Sequence, residues 1–118
     1  MRSVVLAVGL LASASAAAAA DSFNAVTTRD SFVSLIEGRK LTRFGISLDV
    51  TPKGDIEGSA FGIPVTGKWR WEKGYFCRDL KFGQKDLGPN CQQVLVRNSV
   101  VRFVSDRGTG PFADLRLR

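Results

Sequence analysis

The spacing of apolar residues changes near Leu41, where a helical pattern gives way to an alternating one. Between Asp30 and Gly38, apolar residues recur at i, i+3 and i+4, the spacing of one helical face. These residues are Phe32, Leu35 and Ile36. Asp30 stands where an N-cap belongs, and Gly38 can take the left-handed position that ends a helix. The pattern predicts one short helix over about 31–37, after an irregular segment over 21–29.

From Leu41 onward, apolar and polar residues alternate in short runs that turn-forming residues separate. Such alternation is typical of half-buried strands, and Gly, Pro, Asn and Asp between the runs indicate tight turns. The pattern predicts about seven strands, over residues 41–50, 56–61, 65–71, 75–82, 91–97, 100–105 and 112–117. Residues 83–90 and 106–111 are predicted to be loops, because Gly, Pro and Asp are frequent in them.

Regularly spaced strands joined by tight turns predict an antiparallel meander, whose edge strands must be protected from pairing with other chains. Closing the meander into a small barrel, or folding it into a sandwich, achieves this. We therefore expect an all-β fold with one short N-terminal helix, and we favour an up-and-down barrel over a sandwich. The apolar face of the helix must pack on the sheet, either capping one end of the barrel or covering an open seam.

The first 20 residues have the order of a cleavable signal peptide. Arg2 supplies a positive charge, residues 4–11 are apolar, and a run of small residues ends at Ala20. The apolar stretch is shorter than the roughly 20 residues that span a bilayer, so no membrane segment is expected in the mature chain. We predict cleavage near Ala20, a single β domain over 21–118, and a periplasmic or secreted product.

Charge adds little to this picture. The sequence has 17 basic and 11 acidic residues, for a net charge of +6. The basic residues are scattered, and their densest group, Arg39, Lys40 and Arg43, is small. Because an exported protein is separated from nucleic acid, we interpret these charges as a solvated surface and expect no nucleic-acid partner. Nothing in the pattern asks for an oligomer, and a monomer is expected.

The chain has two cysteines, Cys77 and Cys91, and export would bring them into oxidising conditions. Only one pairing exists, and a structural disulfide is predicted. A redox pair usually has the spacing Cys-x-x-Cys at the start of a helix, whereas thirteen residues, Gly83, Gly88 and Pro89 among them, separate these two. Closing a loop of this size stabilises a small domain by roughly 3 kcal/mol.

Histidine is absent from the sequence. The usual general base near neutral pH is therefore missing, and Ser-His-Asp and Cys-His mechanisms are excluded in their usual form. Two cysteines alone cannot complete a structural zinc site. Carboxylates remain, but most of them fall at turns or on polar strand faces. We assign no catalytic residue, no metal site and no cofactor, and we expect a protein that is not an enzyme.

The most distinctive segment is 67–79, which places four aromatic residues and two arginines on two adjoining predicted strands. They are Trp69, Trp71, Tyr75, Phe76, Arg70 and Arg78. Residues two apart on a strand share a face, so the aromatic rings could either fill the core or line the mouth of a ligand-binding barrel. The arginines could meet an anionic ligand or pair with nearby carboxylates. Both alternatives stay open at this point.

Six short motifs are spread over nearly the whole mature chain. They are Phe32-x-x-Leu35, Gly38-x-x-Leu41-Thr, Gly67-x-Trp-x-Trp, Gly74-Tyr-Phe-Cys-Arg-Asp79, Asn90-Cys-Gln92 and Phe103-x-Ser-Asp-Arg-Gly108. This arrangement resembles a family of small exported bacterial proteins, some members of which carry the name dihydrodipicolinate reductase. Through that name the resemblance implies an NAD(P)H-dependent oxidoreductase. Such an enzyme needs a nucleotide-binding domain and a substrate domain, and this chain has room for one domain.

Three hypotheses for function follow. The first is a non-enzymatic exported domain that binds a ligand or a protein partner of the cell envelope. The second is an inhibitor of a cell-wall or host enzyme, whose reactive element would be the predicted loop 83–90 pinned by the disulfide. The third is the oxidoreductase that the family name implies. A roomy cavity in the barrel would favour the first hypothesis, and a protruding loop would favour the second.

Overall fold

The computed structural model describes residues 22–118, so the predicted signal peptide lies outside the described residues. The described chain contains nine strands and one helix of eight residues. These are β1 Asn24–Val26, α1 Arg29–Ile36, β2 Leu41–Arg43, β3 Ile46–Val50, β4 Asp55–Ala60, β5 Ile63–Glu72, β6 Tyr75–Phe82, β7 Lys85–Arg97, β8 Val100–Val104 and β9 Phe112–Leu117. A four-residue turn, Ser105–Gly108, joins β8 to the last loop.

Strands β2 to β9 form a closed antiparallel barrel of eight strands. Each strand pairs with the next one along the chain, and β9 returns to pair with β2, where Leu41 lies opposite Leu117. Strand β1 adds to β7 beyond the point where β6 begins, with Val26 opposite Val94. The predicted antiparallel barrel is confirmed, and the sandwich alternative is not formed. Closure pairs every strand of the barrel on both sides except the first half of β7, which β8 does not reach.

The up-and-down order gives the barrel two different ends. Three turns lie at one end, which we call the helix end because α1 packs there; they are 51–54, 73–74 and 98–99. The other end, which we call the open end, carries the turns 44–45, 61–62 and 83–84 and the loop 105–111. A helix therefore closes the barrel at one end only.

Helix α1 plugs the helix end with its apolar face. Phe32 and Ile36 are fully buried. Phe32 enters a cluster of aromatic rings whose centroids lie 5.1 to 6.3 Å from its own: Trp69, Trp71, Phe76 and Phe103. The N-cap is Thr28, whose hydroxyl accepts a hydrogen bond from the amide of Ser31 at 3.2 Å. The predicted N-cap, Asp30, instead lies in the first turn, where its charge still favours the helix dipole.

Three predicted boundaries differ from the structure. The predicted strand 41–50 is divided by a turn at 44–45, and three residues of the predicted irregular segment form β1. The predicted loop 83–90 belongs largely to β7. Strand β8 pairs with β7 only from Gln93 onward, so Pro89 lies where β7 has a neighbour on one side only, a position that tolerates proline in a strand.

The predicted disulfide is confirmed between Cys77 and Cys91. The two residues lie directly opposite each other on β6 and β7. Their side chains share the outer face of the barrel, because the neighbouring Phe76 and Gln92 face inward. The bond therefore fastens the half of β7 that has only β6 as its neighbour.

The turn Ser105–Gly108 folds back against that same half of β7. Asp106 and Arg107 both have φ of 54°, a left-handed conformation that is uncommon for residues other than glycine. The side chain of Asn90 holds this conformation, because its amide accepts from the backbone N–H of Asp106 at 3.1 Å and donates to the Asp106 carboxylate at 2.8 Å. The turn thus closes the side of the barrel that β8 leaves unpaired.

Candidate functional site

The barrel contains a pocket of about 310 Å³ that opens at the open end. Its walls come from seven strands and the loop 105–111, and most of its lining side chains are apolar. The lining residues are Leu41, Leu48, Val50, Ile56, Phe76, Arg78, Leu80, Gln92, Phe103, Ser105, Pro111, Phe112, Ala113 and Leu115. The interior of the barrel is therefore only partly filled by its own side chains.

The floor of the pocket is formed by Phe76 and Phe103, whose ring centroids are 5.3 Å apart. Both rings also contact Phe32 of α1, so the helix closes the pocket from below. This layer of aromatic side chains separates the pocket from the helix end.

Gly67 gives the barrel wall its close curvature beside the pocket. It lies between Ile56 of β4 and Leu80 of β6, both of which line the pocket. A Cβ atom at this position would lie 2.2 Å from the carbonyl oxygen of Asp79 and 3.0 Å from the side chain of Leu80. The absence of a side chain therefore lets β5 and β6 approach each other closely.

Three polar side chains interrupt the apolar lining: Arg78, Gln92 and Ser105. The guanidinium of Arg78 donates one hydrogen bond, from Nη1 to the carbonyl oxygen of Gly88 at 2.8 Å. The amide nitrogen of Gln92 lies 3.4 Å from the Ser105 hydroxyl, which is a long contact for a hydrogen bond. Arg78 is the one ionisable residue among those that line the pocket.

Within residues 22–118, Arg78 forms no salt bridge, since the four that are found join other residues. Burial lowers the pKa of Arg78, and the negative charge of Asp79 opposes this only in part. Asp79 is the next residue on the strand and is exposed, so its side chain lies on the outer face. Arg78 thus places a partly desolvated positive charge in an apolar pocket.

The open end carries a group of exposed apolar side chains, which we call the rim. Within residues 22–118, five large apolar side chains are exposed, and all five lie at the open end. The rim consists of Phe44, Phe61, Ile63, Leu87 and Phe112. Phe44 is the most exposed, at 92% of its surface. Single exposed apolar residues are ordinary, but a group at one end of a barrel is not, and Phe112 of this group also lines the pocket.

The aromatic residues that the sequence singled out lie mostly in the core. Trp69 and Phe76 are buried, and Trp71 packs partly buried against them. Each indole N–H finds a backbone acceptor, Trp69 at Thr51 (2.8 Å) and Trp71 at Thr27 (3.2 Å). Of the three rings, only Phe76 lines the pocket.

The remaining three candidates do not act together. Tyr75 is on the outer face, where the guanidinium of Arg107 lies 5.8 Å from its ring centroid. Arg70 is exposed and pairs with Glu72. Arg78 alone points into the barrel, because it shares its strand face with Phe76 and differs in phase from Arg70.

Several pocket residues were absent from the sequence-based candidates. Gln92 and Leu80 occupy inward positions on predicted strands, so their phase in the alternation was a usable signal. Ala113 and Leu115 of the last strand carry the same signal. Ser105 gave no such signal, because it lies in the pocket only through the path of the loop 105–111.

The fold and the pocket define a class: small closed antiparallel barrels with an internal pocket that is open at one end. Comparison with family models, curated proteins and solved structures finds no match to this chain. The resemblance to exported bacterial proteins therefore stays a prediction. Within the described residues, no group of acidic, cysteine or histidine side chains could hold a metal ion. No helix of residues 22–118 has the length and apolar character needed to span a membrane.

Proposed function

We propose that this protein binds a small, largely apolar ligand inside its barrel and that it is not an enzyme. The observation that carries the proposal is the pocket of about 310 Å³, sealed by α1 below and open above. Barrels of eight strands are wide enough to hold one small ligand. A volume near 300 Å³ lies at the lower end of the range of ligand pockets, and an apolar lining with a few polar groups is typical of them.

The polar groups of the pocket favour binding over catalysis. Acid–base catalysis requires a group that can gain and lose a proton near neutral pH. The pocket offers a guanidinium, an amide and a hydroxyl, from Arg78, Gln92 and Ser105. A guanidinium keeps its proton, and the other two groups do not titrate in this range. These groups can orient a ligand, and the apolar rim gives that ligand a path into the barrel.

A titration with a neutral fluorescent probe tests the proposal. N-phenyl-1-naphthylamine is uncharged and brightens in apolar surroundings, so saturable emission with one site per chain is expected. Ala113→Phe should abolish this signal, because Ala113 lines the pocket opposite Phe103 and a ring there fills the space. Ala25→Phe is the matched control, since Ala25 is exposed on β1. Equal binding by both variants, or no saturable binding by the unaltered protein, would contradict the proposal.

We further propose that the protein works after export, in the periplasm or outside the cell. The Cys77–Cys91 disulfide is compatible with an oxidising compartment. Expression of the full sequence with a C-terminal tag, followed by cell fractionation and mass determination, tests this. Recovery of a chain beginning at Asp21 in the periplasmic or secreted fraction is expected. Recovery of the uncleaved chain from the cytoplasm would contradict the proposal.

A further inference from the structure

We infer that the ligand of the barrel is an amphiphile whose anionic head group pairs with Arg78 while its apolar tail fills the rest of the pocket. This inference rests on the proposed function and adds the chemical class of the ligand. Three features of the pocket support it: the position of Arg78, the unused donors of its guanidinium, and a second donor beside it. The lining contains no carboxylate that could take the place of such an anion.

The first feature is the position of Arg78 in the barrel wall. Its neighbours on the inward face of the sheet are Trp69 across the β5–β6 pair, Asn90 across the β6–β7 pair, and Phe76 and Leu80 along its own strand. Three of these four are apolar, and Trp69 and Phe76 are buried. A charge in such surroundings loses hydration, and a bound anion restores favourable interactions to it. An apolar ligand without an anion would instead desolvate Arg78 further.

The second feature is the set of donors that Arg78 leaves unused. A guanidinium has five N–H donors, and the structure gives Arg78 one hydrogen bond, to the Gly88 carbonyl. No buried side-chain nitrogen or oxygen within residues 22–118 lacks a hydrogen-bond partner. The remaining nitrogens of Arg78 are therefore still reached by solvent. An anionic head group can replace that water with charge-assisted hydrogen bonds, two of them if the group is a carboxylate or a phosphate.

The third feature is Gln92, a second donor on the neighbouring strand. Arg78 lies opposite Asn90, and Gln92 is two residues further along β7, so Arg78 and Gln92 are diagonal neighbours on the inward face. The Gln92 amide is held only by its 3.4 Å contact with Ser105. It can turn to a ligand at little cost, because the contact it gives up is long. The two side chains can then both donate to one head group.

The tail of such a ligand would occupy the apolar part of the pocket. A volume of about 310 Å³ equals that of about ten liquid water molecules. An alkyl chain of medium length is of this size, and a longer chain would extend along the rim. Decanoate is therefore a suitable probe, with decanol as its neutral counterpart and decylamine as its cationic one.

The ligand series tests the inference on the unaltered protein. Each compound competes with N-phenyl-1-naphthylamine, and the competition gives its affinity. Decanoate is expected to bind about tenfold or more tightly than decanol, which is the effect of one or two charge-assisted hydrogen bonds. Decylamine should bind most weakly. Decyl phosphate is a fourth arm: whichever anion binds more tightly identifies the head group, and both outcomes support an anionic ligand.

Two variants assign the effect to Arg78. Arg78→Met should bring the affinity for decanoate down to that for decanol, since the stem of the side chain is kept and only the charge is lost. Arg70→Met is the matched control, because Arg70 is exposed on the outer face. Gln92→Leu should reduce the preference for decanoate by a smaller factor.

The outcomes separate the two proposals. If the probe and decanol bind and decanoate binds no better than decanol, the inference of an anionic ligand is overturned while the proposed barrel function stands. If neither the probe nor any of the four compounds binds, both are overturned. Should Arg78→Met fail to fold, as judged by circular dichroism, the ligand series on the unaltered protein still decides the matter.

Discussion

Replacing Phe32 by alanine tests whether α1 holds the barrel closed. Phe32 is fully buried and its ring is in contact distance of four other aromatic rings. A buried Phe→Ala change costs about 3–5 kcal/mol. Aromatic pairs add about 0.5–1.5 kcal/mol each beyond their buried area, so the upper part of that range is expected. Domains of this size have a total stability of about 5–15 kcal/mol.

We therefore expect Phe32→Ala to lower the free energy of unfolding by about 4–5 kcal/mol and Tm by roughly 15–40 °C. Urea denaturation followed by tryptophan fluorescence measures this loss of stability, because Trp69 and Trp71 both contact Phe32 and so report on the unfolding of this region. Leu35→Ala is the control on the same helix, where a partly buried side chain should cost clearly less. A loss below about 1 kcal/mol for Phe32→Ala would refute the conclusion that the helix seals the barrel.

Three further predictions concern stability. Cys77→Ser should reduce the free energy of unfolding by roughly 3 kcal/mol, and a reducing agent should have the same effect on the unaltered protein. Thermal melting measures both effects, and an unchanged Tm would contradict a stabilising disulfide. Gly67→Ala should lower the free energy of unfolding by about 1–3 kcal/mol in the same assay, because the new Cβ would meet the Asp79 carbonyl oxygen. Unchanged stability would mean that β5 and β6 can move apart at this position. Hydrogen bonding to Arg102 holds the pKa of Asp114 below its ordinary value of 3.8. Asp114→Asn should therefore lower stability at neutral pH, and the difference from the unaltered protein should disappear as the pH falls through and below about 4. A difference that persists in strong acid would refute this origin.

Much of the fold was predictable, because alternation along each strand reports which residues face the core. The barrel and the disulfide followed from this pattern and from the pairing of two cysteines. The predicted loop 83–90 was wrong for a specific reason. Gly88 and Pro89 have the composition of a turn, yet they lie in a strand that is paired on one side only. Local composition cannot report how many neighbours a strand has, since that depends on where β8 begins.

The candidate site was predictable in part. Arg70 and Arg78 were predicted as equal candidates, although they occupy different positions in the strand alternation. Arg78 shares the inward face with Phe76, and Arg70 lies between the two tryptophans and faces outward. That distinction was present in the sequence. The pocket itself was not, because its volume depends on residues from seven strands and on how far α1 enters the barrel. These are long-range properties that no single segment contains.

The one-sided pairing of the first half of β7 has a consequence for how the molecule opens. On the side that faces β8, this half of β7 is held by the hydrogen bonds between the Asn90 side chain and Asp106, and not by a ladder of backbone hydrogen bonds. On the near side the disulfide keeps β6 and β7 together. The barrel wall is therefore weakest between the first half of β7 and the turn Ser105–Gly108, and a bulky ligand would open it at that position first. We expect hydrogen exchange at Asp106 to be faster than at Phe103 in the adjoining strand; uniform protection across the two positions would show a rigid wall.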